Sequence, residues 1–235
     1  WWALCTLIEF YMLSKNNLID KFSNILPKIE SESDIYFEHF SMDGLEEMHQ
    51  YSTDERLYEF FEFDPFKKID DTKAYIKKIV QRMSDQSGEK NAMYWFIRRK
   101  SDDRLVGTAA LVNLNYARQS IEWGYGIDPE LWGYGYVFEI QEILKKFTFE
   151  VLDLNRLYGI TMVENERTIQ SVLAAGLKYE GILRDFYCKD GVYHNGWQYG
   201  MTAKDYHESN VASISLLVNM DDIINVVSSV LTEEK

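Results

Sequence analysis

A glycine-bearing turn is the stretch of this sequence best suited to chemistry. It reads Leu131-Trp132-Gly133-Tyr134-Gly135-Tyr136 and follows a strand-like run over 120–127. Glycines let the backbone approach a ligand closely, and the first turn of a helix presents unpaired N–H groups, so such a junction attracts an anion, most often a phosphate. A helix is predicted after the turn because apolar residues recur there at spacings of three and four, namely Val137, Ile140, Leu144, Phe147 and Val151.

The composition predicts one domain with appendages and argues against nucleic-acid binding. The 235 residues are 46% hydrophobic and 15% aromatic, which is enough for a packed core. The formal charge is −13, and the sequence has no dense Lys/Arg stripe of the kind that nucleic-acid binding requires. An acidic surface suits a cationic or amine-bearing partner, although it serves solubility equally well.

The cysteines and histidines favour neither a disulfide framework nor a metal site. Cys5 and Cys188 lie far apart, which fits a reducing compartment, so we expect a cytoplasmic protein. The four histidines form no H-x-x-x-H pair, and no metal is expected. The apolar stretch from Trp1 to Leu13 is too short for a membrane span, so no membrane partner is expected.

The apolar pattern predicts a domain of mixed strands and helices over residues 34–206. Because a helix separates the strands at 120–127 and 156–163, this pair should be parallel and joined by a right-handed crossover. Further strands are predicted at 35–40, 93–99, 105–114, 181–188 and 192–201, and helices at 45–51, 70–83 and just after Thr168.

Both ends of the sequence are expected to lie outside this domain. Residues 1–33, which begin with Trp1 instead of methionine, are interpreted as a helical appendage or a fragment of a neighbouring region. Residues 207–235 are interpreted as an amphipathic helical tail that faintly resembles the first helix of an acyl or peptidyl carrier domain. These ends suggest a domain within a larger multidomain protein.

Four motifs between Glu122 and Arg184 resemble the GNAT superfamily of acyl-coenzyme A N-acyltransferases, most closely its RimJ/RimL-type (ribosomal-protein N-acetyltransferase-like) branch. The resemblance covers residues 35–206 and implies an α+β fold. The fold has a mixed, mostly antiparallel twisted sheet with a splayed parallel central pair, flanked by helices. The motifs are Glu122–Tyr125, Leu131–Tyr136, Asn165–Thr168 and Gly176–Arg184.

The resemblance implies that the glycine turn binds the pyrophosphate of the donor, acetyl-CoA or another acyl-CoA. The family pattern there is Gln/Arg-x-x-Gly-x-Gly/Ala, and Glu130 stands where Gln or Arg is usual. Since backbone N–H groups make most of the hydrogen bonds to the pyrophosphate, a different side chain at this position need not abolish binding. The pantetheine arm would lie where the strands at 120–127 and 156–163 splay apart after a bulge. The residues expected to contact the donor are Trp123, Tyr125, Ile127, Leu131, Trp132, Gly133, Tyr134, Gly135, Tyr136, Asn165 and Thr168.

Direct attack of an amine on a thioester requires a base for the amine and a hydrogen-bond donor for the departing thiolate. Glu122 is the candidate base, acting directly or through a water; alternatively it faces solvent or binds an arginine such as Arg118. The candidate donor is Thr168 or a tyrosine, and Tyr158, Tyr179 and Tyr187 are the alternatives. Asn165 either contacts the pantetheine or caps the following helix.

The acceptor is less determined by the sequence than the donor. It is expected to be a small biosynthetic amine, such as a nucleotide-linked amino sugar. The alternatives are an N-terminal or lysine amine of a protein, or a non-catalytic module that only binds coenzyme A. The candidate acceptor-binding residues are Tyr58, Phe61, Glu62, Glu122, Arg184 and Tyr193.

Overall fold

Nine strands form one sheet within residues 28–84, 91–209 and 216–218, the parts of the chain that this computed structural model describes. All hydrogen-bonded neighbours are antiparallel except the central pair β5 and β6, which confirms the predicted mixed sheet. The sheet order is β7-β8-β6-β5-β4-β3-β2-β1-β9. In chain order the strands are β1 (Ile29–Ser31), β2 (Ile35–His39), β3 (Met93–Arg99), β4 (Leu105–Asn115), β5 (Ser120–Ile127), β6 (Arg156–Met162), β7 (Lys178–Lys189), β8 (Val192–Thr202) and β9 (Leu216–Val218).

Five α-helices flank the described sheet, namely α1 (Leu45–Ser52), α2 (Ile69–Ser84), α3 (Tyr136–Lys146), α4 (Glu166–Ala174) and α5 (Ala203–Glu208). The helix predicted after the glycine turn is α3, which continues into one π-helical turn over Phe147–Val151. Its apolar stripe is buried as expected, with Ile140 and Leu144 0% exposed. Phe147 packs edge-on against Trp95 of β3, with ring centroids 5.6 Å apart, and this contact fixes the helix on the sheet.

The central strands separate at the level of Glu122 and Tyr158. β5 pairs with β6 only from Ser120 to Glu122, and beyond that point β5 bonds to β4 while β6 bonds to β8. The wedge between the two strands is therefore open along Trp123–Ile127. The β-bulge that the sequence resemblance associates with this splay lies on β4, between Val112 and Asn115, opposite the start of β5.

The sheet extends into both segments that the sequence analysis treated as helical appendages. Ile29–Ser31 pairs with β2, and Leu216–Val218 pairs with Ile29–Ser31, so both stretches are strands. Burial alternates along Ile29–Ser31, as it does in a strand. Three residues are too few for sequence periodicity to distinguish a strand from a helix, so the prediction was wrong here. The helices predicted for the rest of 1–33 and 207–235 lie outside the described residues, apart from His207 and Glu208, which end α5. In the described part of the chain, no helix combines the length and hydropathy that crossing a membrane would take.

Candidate active site

The glycine turn has the backbone conformation of an anion-binding junction. Gly133 and Gly135 have φ angles of 85° and 88°, the left-handed region that favours glycine, and Gly135 directly precedes α3. The N–H of Phe138 donates to the Gly135 carbonyl at 3.0 Å. The N–H groups of Tyr136 and Val137 come before this first hydrogen bond of the helix and have no acceptor within it. A Cβ added to either glycine would meet no atom within 4 Å, so open space faces the turn.

A cavity of about 780 Å³ joins this turn to the wedge between β5 and β6. The side chain of Tyr134 is 67% exposed, stacks on Tyr136 and is absent from the cavity wall, so its contact with the donor stays a prediction. The other predicted donor-binding residues all line the cavity, namely Trp123, Tyr125, Ile127, Leu131, Trp132, Gly133, Gly135, Tyr136, Asn165 and Thr168.

Two arginines on the cavity wall were missed by the sequence analysis. The Arg167 guanidinium lies 4.2 Å above the Trp132 ring, and Arg56 contacts Glu130 at 2.5 Å. Glu130, which stands where the family pattern has Gln or Arg, therefore forms a salt bridge with an arginine from a distant segment of the chain. No local signal marks Arg56, because 74 positions separate it from Glu130.

Asn165 caps α4, as one of its two alternatives predicted. Its Oδ1 accepts from the Thr168 N–H at 3.2 Å, while both residues line the cavity. The two helices beside the cavity are tied together by polar contacts, since Gln141 Nε2 donates to the Tyr125 hydroxyl at 2.7 Å and to Ser171 Oγ at 3.0 Å. The positions of Thr168 and Asn165 thus depend on packing between α3 and α4.

Replacing Asn165 separates its capping role from any role in donor binding. Asn165→Ala should lower the free energy of unfolding by about 1 kcal/mol, because the Thr168 N–H loses its acceptor. Asn165→Asp retains an acceptor oxygen and should keep wild-type stability. Urea denaturation of the two variants checks this, and an alanine variant as stable as wild type would contradict the cap.

Glu122 lies at the inner end of the wedge, paired with Val112 on β4 and with Tyr158 on β6. It is half-buried, and its Oε2 accepts from Asn113 Nδ2 at 2.7 Å, whereas the sequence analysis had suggested Arg118 as its partner. Burial raises the pKa of Glu122 above its usual value, while the Asn113 hydrogen bond and the charge of Arg82 act in the opposite direction. The two residues that follow Glu122 line the cavity, whereas Glu122 itself lies just outside its wall.

Of the three tyrosines considered as proton donors, the structure places Tyr187 in the cavity wall. Its hydroxyl donates to the Ile160 carbonyl at 2.8 Å, and burial raises its pKa. Tyr158 lies outside the wall with its ring 5.7 Å from the Arg156 guanidinium, and Tyr179 is 52% exposed. Tyr158 lies where β6 is still paired with β5, opposite Glu122 and before the two strands separate.

The predicted acceptor residues divide between the cavity and the surface. Phe61 and Glu62 line the cavity, together with Glu59, Phe60 and Phe63, which the sequence analysis did not assign. Tyr58 is only 4% exposed and packs 5.8 Å from Phe61, ring to ring, outside the wall. We call the segment Glu59–Phe63 the acidic aromatic loop.

Arg184 and Tyr193, also predicted to bind the acceptor, are exposed and stand away from the cavity. A register shift between Leu183 and Tyr187 displaces the outer part of the hairpin from the wall. The hairpin instead supports the acidic aromatic loop, because Lys189 Nζ donates to the carbonyls of Tyr58 and Phe61 at 2.7 and 2.9 Å, and the Cys188 N–H donates to Glu62.

The chain is similar to known proteins in both sequence and structure. The sequence profile of the family described as "Acetyltransferase (GNAT) domain" matches residues 34–178. The uncharacterized N-acetyltransferase YoaA of Bacillus subtilis is 29% identical over 121 residues, which are 52% of this chain and 66% of that protein. The spermidine N(1)-acetyltransferase of Vibrio cholerae is 22% identical over 148 residues, which are 63% of this chain and 81% of that protein.

Solved structures share the fold at low sequence identity. The spermidine N-acetyltransferase from Vibrio cholerae, in complex with CoA and spermine, superposes with a TM-score of 0.64 and 18% identity, over 75% of this chain and 100% of that one. A GCN5-related N-acetyltransferase from Brucella melitensis gives a TM-score of 0.68 and 16% identity, over 77% of this chain and 84% of that one. Since the family profile also spans more than half of its length, the chain belongs to the GNAT acetyltransferase family.

Proposed function

We propose that this protein transfers an acetyl group from acetyl-CoA to a primary amine of a small, cationic molecule. The observation that carries the proposal is the composition of the cavity wall, which has an anion-binding glycine turn and also an acidic aromatic loop. Carboxylates and aromatic faces both attract ammonium groups. Relatives named as spermidine acetyltransferases support this acceptor class over the nucleotide-linked amino sugar suggested by the sequence.

The donor half of the cavity fits the shape and charge of coenzyme A. The left-handed glycines leave open space beside unpaired N–H groups, and Arg167 adds positive charge to the same wall, whereas the charge of Arg56 is balanced by Asp54 and Glu130. The wedge along Trp123–Ile127 offers strand backbone groups that β6 does not bond, which suits the amides of a pantetheine arm. These contacts would place the thioester near Glu122, at the inner end of the wedge.

The chemistry assigned to the residues is general base catalysis followed by proton donation to sulphur. Glu122 accepts a proton from the acceptor ammonium through a water, and the freed amine attacks the thioester carbonyl to form the new C–N bond. As the C–S bond breaks, a cavity hydroxyl, that of Tyr187 or Thr168, donates a proton to the leaving sulphur, and the proton that the nitrogen loses as it becomes an amide restores this hydroxyl. The raised pKa of Tyr187 keeps its hydroxyl protonated at neutral pH.

An acceptor panel tests the proposed substrate class. Purified protein with acetyl-CoA would be offered spermidine, a nucleotide-linked amino sugar and a peptide with a free N-terminus, and acetylated products would be identified by mass spectrometry. We expect the highest kcat/KM for spermidine. A preference for the peptide would favour protein acetylation, whereas coenzyme A binding without any acetylated product would favour a non-catalytic module.

Neutralising the acidic aromatic loop should weaken acceptor binding selectively. The double change Glu59→Gln and Glu62→Gln is expected to raise KM for spermidine about tenfold, because two exposed charges each contribute up to about 1 kcal/mol. KM for acetyl-CoA should stay unchanged. Glu46→Gln on α1 is the matched control, and an equal effect there would show that only overall charge matters.

Three further parts of the proposal come from the sequence. They are a catalytic domain spanning residues 34–206, a cytoplasmic location, and membership of the RimJ/RimL-type branch. The observed sheet adds β1 and β9 to the catalytic domain. A reducing compartment suits an exposed thiol such as that of Cys188.

A further inference from the structure

The candidate base is held by a chain of hydrogen bonds that reaches the protein surface. Glu122 Oε2 accepts from Asn113 Nδ2 at 2.7 Å, and Asn113 Oδ1 accepts from an Arg82 guanidinium nitrogen at 3.2 Å. A second guanidinium nitrogen of Arg82 donates to the Tyr94 hydroxyl at 3.1 Å. We call Arg82, Asn113 and Glu122 the surface triad.

The backbone at Asn113 is shaped to make this contact. Asn113 lies within the β4 bulge, and its φ angle of 54° is in the left-handed region, which asparagine tolerates better than most residues. The four residues Val112–Asn115 of β4 span the length that the three residues Ser120–Glu122 of β5 occupy. The bulge turns the amide toward the carboxylate.

The donors and acceptors of the surface triad fix the orientation of the Asn113 amide. A guanidinium only donates, so the oxygen of the Asn113 amide must face Arg82 and its NH₂ group must face Glu122. The NH₂ group donates to Oε2 of Glu122. The other carboxylate oxygen, Oε1, is therefore left available to accept a proton. Each contact favours the ionised carboxylate, against the effect of burial.

We propose that Asn113 and Arg82 are positioning residues that orient Glu122 and keep it ionised as the base of the acetyl transfer. The proposal rests on the proposed function and extends it to two exposed side chains outside the cavity wall. Among the described residues, burial and the charge of Glu122 both raise the pKa of four phenols on the strands around it, namely Tyr94 on β3, Tyr158 on β6, Tyr187 on β7 and Tyr199 on β8.

The test compares the pH dependence of kcat in variants of the surface triad. Asn113→Gly keeps the left-handed backbone and removes the amide, and Arg82→Gln removes the charge. Both should raise the pKa of Glu122, so the acid limb of the kcat profile should move to higher pH, by about half a unit or more. At neutral pH kcat should fall about tenfold for Asn113→Gly, with KM for both substrates unchanged.

Lys78→Gln is the matched control for Arg82→Gln. Lys78 lies one helical turn earlier on α2, and both residues line a separate surface cavity of about 520 Å³. The control should leave the acid limb in place. An unmoved limb in Asn113→Gly, or an equal shift in Lys78→Gln, would overturn the proposal.

A ¹³C NMR titration of the Glu122 carboxyl, assigned with Glu122→Gln, distinguishes this proposal from the proposed function. The Glu122 pKa should rise in both triad variants whether or not any amine is acetylated. An unchanged pKa would overturn the role of the surface triad, as would a raised pKa with an unchanged kcat profile. A wild-type protein that acetylates no amine would instead reject the proposed function.

Discussion

Gly133→Ala is expected to weaken acetyl-CoA binding about 100-fold while leaving the fold intact. In the protein alone the new Cβ meets no atom within 4 Å, so the cost to stability is only the left-handed backbone strain, about 1 kcal/mol. The methyl group would, however, occupy the open space in which we place the pyrophosphate. Losing about two charge-assisted hydrogen bonds corresponds to about 3 kcal/mol.

Gly191→Ala provides the matched control for this prediction. Gly191 has a φ angle of 78°, an added Cβ there also meets nothing within 4 Å, and the residue lies in the hairpin turn between β7 and β8. The two variants should therefore melt at similar temperatures, whereas equilibrium dialysis with acetyl-CoA should show weak binding only for Gly133→Ala. Equal affinities in the two variants would place the pyrophosphate elsewhere.

Glu122→Gln is expected to lower kcat by about 100-fold or more with little change in either KM, because general base catalysis contributes that much to the rate. Burial raises the pKa of Glu122, so the wild-type kcat should fall as the pH drops through a value above the usual glutamate pKa. Below that pH, Glu122 is protonated and cannot act as the base. The variant should lose this acid limb.

Steady-state kinetics across pH would check the prediction, with Glu46→Gln as the control for loss of a carboxylate. The glutamine side chain nearly preserves the volume of the glutamate and can still accept from Asn113, so the fold should survive. A kcat close to that of wild type would show that Glu122 does not act as the base. The proton would then have to leave the amine by another route.

The donor half of the site was predictable because its signals are local. The glycine turn, the strand before it and the apolar stripe of α3 all lie between Ser120 and Val151. Strand and helix periods differ, so each element is visible in a short window, and the left-handed glycines are visible as residue types. Accordingly, ten of the eleven predicted donor contacts lie in the cavity wall, and only Tyr134 does not.

The features that could not be predicted depend on contacts between distant segments. Arg56 reaches Glu130 across 74 positions, and the surface triad joins α2, β4 and β5. The direction of a tyrosine on β6 or β7 depends on strand register, and the bulged register of the β7–β8 hairpin is not encoded by a short motif. This is why the sequence could not choose among Tyr158, Tyr179 and Tyr187, and why Arg184 was placed in the site.

Isothermal titration of the purified protein with acetyl-CoA, repeated with free coenzyme A, tests the central claim that the cavity is a donor site. We expect saturable binding at a single site, with a micromolar dissociation constant for each ligand. If a folded sample bound neither ligand, the glycine turn would be a structural feature only, and the proposed acetyl transfer would be rejected.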